Sequence, residues 1–287
     1  MPTSDPLDPS HRRRSDFVRE LVQRPIVSAA PLSGRVSKPP QTIVQFWDNL
    51  DRLPSDVGEC IATWKKAEKQ GFKTLLFDKY EAGEFIYQRL GTRYKTAYDK
   101  CYHPSMQSDY FRLCYILVEG GCYIDADDVF NEAPIQYLCA DGRLKLQPLC
   151  YDATTDTMVP AARFTKPSAD ESGWIFYFNM DPLIAGSRHP LVDRALAQAT
   201  LNLEKDMTSG LPEIQATAGP GNLTNSLFDA ALEGEEVEQN ILVLHDWEQL
   251  APSKWPLSYR NDARNWRLSN SQAYQETHTE NVLKREE

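Results

Sequence analysis

The chain has 287 residues, 41% of them hydrophobic and 25% charged, with a formal net charge of -10. That is enough apolar content for one large α/β core, or for such a core with an appended helical lobe. The acidic balance excludes a general nucleic-acid binder, which needs a basic face, and no segment reaches the ~20 apolar residues that span a bilayer or reads as a secretory signal.

Residues 1–40 are rich in Pro, Ser and Arg, with a basic run His11-Arg12-Arg13-Arg14 and little apolar periodicity apart from Phe17, Val18, Leu21 and Val22. They read as a flexible leader with one short helix. A folded domain is expected over residues 41–270, followed by a C-terminal tail at 271–287. It opens on a β-rich run, Thr42 to Trp47, then a helix around Val57 to Gln70, a strand at Lys73 to Phe77 and a helix around Tyr80 to Leu90. This β-α-β-α order is that of a nucleotide-binding sheet.

The segment Ser108 to Phe130, SDYFRLCYILVEGGCYIDADDVF, carries the chemistry. Ser108 is placed to cap an almost wholly apolar helix over Tyr110 to Val118, with Asp109 in its first turn. Gly120-Gly121 stops that helix, and Cys122-Tyr123-Ile124 is a short core strand running out into Asp125-Ala126-Asp127-Asp128. Side chains two apart on a strand share a face, so Asp125 and Asp127 converge, while Asp128 points elsewhere unless the backbone bends. Converging carboxylates call for a cation, and all-oxygen donors favour Mg²⁺ or Mn²⁺. An EF-hand calcium loop is excluded, since its sixth and twelfth positions would be Phe130 and Gln136 instead of Gly and Glu. Asp109 and Arg112, three apart on one helix face, add two more charges at the carboxyl end of the sheet, where open α/β folds bind ligands.

Further on, Trp174 to Phe178 and Ile241 to Leu244 read as strands, and Leu191 to Glu204 as a helix. The six cysteines, Cys60, Cys101, Cys114, Cys122, Cys139 and Cys150, form no C-x-x-C pair. They read as reduced core thiols of a cytoplasmic protein.

Ser108-Asp109-x-x-Arg112 followed by Gly120-Gly121-x-Tyr123-x-Asp125-x-Asp127 resembles the Asp-x-Asp sugar-binding region of glycosyltransferase family 32, a pattern shared by fungal α-mannosyltransferases, bacterial polysaccharide enzymes and clostridial glucosylating toxins. Ile43 to Trp47, Asn179, His189-Pro190 and Thr217-Ala218-Gly219-Pro220-Gly221 are similar to further landmarks in the family's order. The resemblance covers roughly residues 41–225. It implies an α/β fold of the GT-A type, a Rossmann-like nucleotide-sugar-binding sheet flanked by helices. It also implies metal-dependent transfer of a hexose, with retention of configuration, from a UDP- or GDP-sugar to a glycan or other hydroxyl acceptor, as in polysaccharide biosynthesis.

The residue roles implied by the resemblance follow the motifs. Trp47 would stack on the base, and Asp78 would flank the ribose unless it only caps a helix. Asp109 and Arg112 would hold the donor sugar, with Tyr123, Asn179, Thr217 and Gly219 lining the donor site. Asp127 would hold Mn²⁺ or Mg²⁺, joined by Asp128, with Asp125 contacting the metal or the ribose of the donor. Family members commonly close the metal site with a C-terminal segment ending in Ser-Trp; this chain lacks that pair, and His278 or Asn281 would take its place unless the tail is simply exposed. Two rival functions use the same residues: a metal-dependent nucleotidyltransferase or phosphohydrolase, and a non-catalytic nucleotide-sugar or carbohydrate-binding protein.

Overall fold

Thr42–Phe46 forms β1, and its alternation sets the layers of the molecule. Val44 and Phe46 join a larger core and Ile43 a smaller one, because neighbours on a strand face opposite sides of the sheet. The structure is a computed structural model and describes residues 9–24, 36–168, 171–205, 210–270 and 272.

The helices start and stop on identifiable signals. α1 spans Pro9–Gln23 and α2 Ser55–Trp64, the latter running on as a tighter 3₁₀ turn over Lys65–Gln70 to Gly71 in the left-handed region, φ 89°. β2 is Lys73–Phe77. α3, Lys79–Leu90, begins with a reciprocal capping box between Asp78 and Glu81. That assigns the Asp78 side chain to the helix end rather than to a ribose. α4 is Thr92–Asp99 and α5 Pro104–Val118. The cap of α5 is His103 followed by Pro104, so Ser108 lies within the helix and does not cap it, contrary to the sequence reading. Gly120 and Gly121 follow at φ 71° and 120°. A Cβ on Gly121 would sit 2.8 Å from the Thr42 carbonyl, so only glycine lets β3 (Gly121–Tyr123) lie this close to β1.

β4 (Leu144–Asp152), β5 (Thr157–Met158), α6 (Ala161–Phe164), β6 (Trp174–Ala185), α7 (Pro190–Glu204), α8 (Ile214–Thr217), α9 (Pro220–Leu232) and β7 (Ile241–Val243) complete the main frame. The sheet has seven strands in the order β2-β1-β3-β6-β4-β5, with β7 beside β4. β1 is parallel to both β2 and β3, and β6 runs antiparallel to β3 and β4. The α/β class, with a central sheet flanked by helices, is as expected from the sequence.

Two expectations need correcting. The strand read as Trp174 to Phe178 extends to Ala185, passing an irregularity where its register against β4 shifts between Leu146 and Pro148. Residues 9–23, read as a short helix within a flexible leader, form a 15-residue helix that is packed on the domain, with Val18, Leu21 and Val22 buried in the larger core. The i, i+3, i+4 spacing of those three residues is the helical stripe that faces the core. No described helix is long and apolar enough to cross a membrane.

Candidate active site

α5 is buried on nearly every side, and this carries two charged residues into the interior. Arg112 is 4% exposed and its guanidinium lies over the Tyr123 ring, 4.4 Å from the centroid. Its Nη1 donates to the Met180 carbonyl at 2.8 Å, and its Nη2 donates to Ser108 Oγ and to Asp125 Oδ1, each at 2.9 Å. The same Nη2 is 3.1 Å from Asp109 Oδ1. Burial opposes the charge on Arg112, but Asp125 and Asp109 outweigh it and raise the pKa, so the site contains a permanent cation. Burial pushes the Asp109 carboxyl up to about 7, with Arg112 pulling it down and Asp125 pushing it further up.

Beyond β3 the chain turns, and each residue of the acidic run is held by a different part of the fold. Asp125 keeps about a third of its side chain exposed (35%), while its N–H donates to Asp181 Oδ1 at 3.0 Å and its carbonyl accepts from Gln45 Nε2 at 3.1 Å. The Asp127 carbonyl accepts from the Lys254 N–H at 2.8 Å. Asp127 Oδ2 accepts from the Tyr259 hydroxyl at 2.9 Å and forms an ion pair with Arg260 Nη2. Burial and then Asp125 raise the Asp127 pKa, while Arg260 and Tyr259 lower it.

Asp128 departs from its expected role as a metal ligand. It is fully buried, its Oδ1 accepts from Ser253 Oγ at 2.6 Å and its Oδ2 from Trp247 Nε1 at 3.2 Å. Its carbonyl accepts from Trp64 Nε1 at 2.9 Å. Asp128 therefore ties the acidic turn to the smaller core. Burial and then Asp127 raise the Asp128 pKa, while hydrogen bonds from Ser253 and with Asp181 lower it, and the pKa values of both Asp128 and Asp181 stand well above the usual carboxylate range. A proton held between these two acids avoids two unpaired charges in the interior.

The remaining expected residues fall into two groups. Gly219 lies against the charged cluster: a Cβ there would sit 2.8 Å from Asp109 Oδ2. Trp47 is 8% exposed, packed with Val57, Cys60, Ala126 and Leu257, and the edge of its ring meets Tyr259 at 5.3 Å. In contrast, Tyr123 is fully buried and its hydroxyl pairs with Ser108 Oγ at 2.7 Å, which makes it a support for Arg112. Asn179 Nδ2 donates to the Asp181 carbonyl at 2.9 Å, within the irregular part of β6. Thr217 Oγ1 donates to the Glu213 carbonyl at 2.6 Å, closing α8 on itself. His278 and Asn281 lie outside the described residues.

Residues 54–142, which include Asp109, Arg112, Asp125 and Asp127, match the family model described as a glycosyltransferase sugar-binding region containing a DXD motif. The chain therefore carries, over these residues, a glycosyltransferase sugar-binding region of the DXD type. It is also similar to the solved structure of "PaToxG Glycosyltransferase" at 15% identity, with a TM-score of 0.43, 88% of this chain and 90% of that chain being covered. No curated protein matches the chain.

Three residues of this site escape sequence reasoning: Asp181, Tyr259 and Arg260. Asp181 carried a faint signal, an Asp-Pro pair inside an apolar run, since proline within a sheet marks a bulge or an edge. Tyr259 and Arg260 lie in a stretch without periodicity and reach the acidic turn only through long-range packing. Among the described residues no group of three or more His, Cys, Asp or Glu side chains is arranged to hold a metal ion. Asp125 and Asp127, both oxygen donors, are the residues that would hold a hard divalent cation, which keeps several waters and takes its other ligands from phosphate.

Proposed function

We propose that the protein is a glycosyltransferase that moves a hexose from a UDP- or GDP-sugar to a glycan or other hydroxyl acceptor, with retention of configuration and with dependence on Mn²⁺ or Mg²⁺. The observation that carries the reading is the meeting of Asp109, Arg112 and Asp125 around one buried guanidinium, at 3.1 and 2.9 Å. Such a cluster is preorganised: its charges are already desolvated and fixed before a substrate arrives.

Arg112 serves as the fixed cation that orients the donor sugar and the carboxylate of Asp125, because its planar fork reaches several acceptors at once. Asp109, ionised above about pH 7, accepts from sugar hydroxyls. Gly219 leaves room beside it. Trp47 supplies an apolar surface for the base, and Asn179 and Thr217 support the walls of the donor site. A divalent cation on Asp125 and Asp127 would supply Lewis-acid neutralisation of the diphosphate leaving group. Retention follows the family resemblance, in which the acceptor attacks from the face the diphosphate leaves and the diphosphate takes the acceptor proton. Asp109 then acts by orienting the sugar and not as a nucleophile. The six cysteines are free thiols, all but Cys139 buried, which supports a reducing, cytoplasmic setting.

A panel of nucleotide sugars, scored for nucleoside diphosphate release with Mn²⁺ and with a chelator, tests the reading. The expected result is one preferred donor and loss of turnover on chelation. Release of sugar phosphate would point instead to nucleotidyl transfer or phosphohydrolysis, and a β-linked product from an α-linked donor, seen by NMR of the anomeric proton, would overturn retention.

A further inference from the structure

The carboxylate of Asp127 already has a cation. Arg260 Nη2 pairs with Asp127 Oδ2, both side chains being about nine-tenths buried, at 11% and 12% exposure. Arg260 lies on a segment that crosses the acidic turn and is pinned on both sides of it. Upstream, the Val129 N–H donates to the Pro252 carbonyl at 3.0 Å and the Lys254 N–H to the Asp127 carbonyl at 2.8 Å. Midway, the Ser258 N–H and Oγ donate to the Asp56 carboxylate at 2.6 and 3.0 Å. Downstream, Ser269 Oγ pairs with His103 Nε2, and it donates to the Ala263 carbonyl, each at 2.8 Å. Between these anchors Tyr259 and Arg260 reach inward, Tyr259 meeting Trp47 and Asp127 together.

Two side chains of this arrangement keep hydrogen-bonding capacity unused. Arg260 Nε and Trp47 Nε1 are both buried without a hydrogen-bond partner among the described residues. A buried donor left unpaired is costly, and an unpaired donor on a guanidinium more so. Both donors belong to side chains around the Asp127 carboxylate and Tyr259. Together they suit an acceptor-rich anion, and the guanidinium fork suits a diphosphate.

We propose that residues 254–264 form a strap carrying an internal counter-cation for the acidic pair. With no donor bound, Arg260 neutralises Asp127. When the donor arrives, Arg260 releases Asp127 and turns its guanidinium to the diphosphate. Arg260 thus opposes binding of a divalent cation alone and favours binding of cation and diphosphate together. This rests on the reading of Asp125 and Asp127 as cation ligands given above, and it adds a positioning residue outside the segment that carries the family motif.

The test is Mn²⁺ titration by calorimetry on the full chain, with and without inorganic pyrophosphate, for the wild type, Arg260→Gln and Arg260→Lys. Loss of a charge-assisted contact that competes for one ligand corresponds to roughly tenfold in affinity. Arg260→Gln is expected to bind Mn²⁺ alone about tenfold more tightly than the wild type, and to lose most of the gain in affinity that pyrophosphate gives the wild type. Arg260→Lys, which keeps the charge without the fork, is expected to fall between them, and it serves as the test if Arg260→Gln does not fold by circular dichroism. Equal Mn²⁺ affinity in all three proteins, with the same gain from pyrophosphate, would overturn the strap while leaving the metal site standing. Absence of Mn²⁺ binding from all three, with and without pyrophosphate, would overturn the metal site and the strap with it.

Discussion

Replacing Arg112 by methionine removes the one buried cation shared by Asp109 and Asp125 while keeping much of the side-chain length. Breaking a buried ion pair from one side costs on the order of 3–5 kcal/mol, because the remaining charge is left unpaired. The pH dependence identifies that charge. In the wild type the Asp109 carboxyl titrates at about 7 instead of 3.8. A carboxyl raised on folding stabilises the protein relative to high pH. Its contribution is fully present below pH 3.8 and is lost as pH rises through about 7. The loss amounts to about 4 kcal/mol and is complete just above neutrality. Without Arg112 the carboxyl is pushed higher still, so stability should keep falling above pH 7, by up to about 1.4 kcal/mol per pH unit. Urea unfolding from pH 5 to 9, for the wild type, Arg112→Met and Arg112→Met with Asp109→Asn, measures this. The expected outcome is a continued decline for Arg112→Met above pH 7 that the added Asp109→Asn removes. Parallel wild-type and Arg112→Met profiles would refute the argument that burial and Arg112 set the titration of Asp109.

Three further outcomes are expected. Asp127→Asn should keep the fold, since volume is unchanged, and reduce transfer by several kcal/mol in activation free energy, read as nucleoside diphosphate release; near-normal turnover would exclude Asp127 from the site. Trp47→Phe should raise the donor KM more than it lowers kcat, because aromatic stacking on a base, about 1–3 kcal/mol when fully lost, acts equally in ground and transition states; an unchanged KM would leave Trp47 a core residue only. Gly219→Ala should cost about 1–3 kcal/mol in urea unfolding and lower kcat/KM, because its Cβ would lie 2.8 Å from Asp109 Oδ2; an unchanged protein would mean that α9 shifts freely.

How much of this was legible depended on whether the information was local. The strands Thr42–Phe46 and Lys73–Phe77 and the acidic turn after Tyr123 follow from β-branched runs and glycine stops, so the sequence and the structure agree there. The start of α5 was misread because Ser108 looks like a cap, whereas His103 and Pro104 supply the signal one turn earlier. Alternation along the strand already turned Asp128 away from Asp125 and Asp127, and only the metal role that came with the resemblance departs from the structure. Once the backbone bends, the third acid faces Ser253 and Trp247, partners more than a hundred residues away. No local pattern encodes such a partner.

The division between matched and unmatched sequence has a physical counterpart. The segment 54–142 supplies Asp109, Arg112, Asp125 and Asp127. Each of these is then oriented by something outside it. Arg112 is aimed by the Met180 carbonyl, the Asp125 backbone by Gln45 and Asp181, Asp109 is flanked by Gly219, and Asp127 is held by Tyr259 and Arg260. Three carboxylates supplied with a single guanidinium cannot hold their own geometry, because the carboxylates repel one another. Their precision must come from neighbours that are neutral or of opposite sign. The motif therefore identifies the class of chemistry, while the residues that aim it are dispersed through the fold. Substitutions at Asp181 or Arg260 should accordingly act on the site as strongly as substitutions within the motif itself.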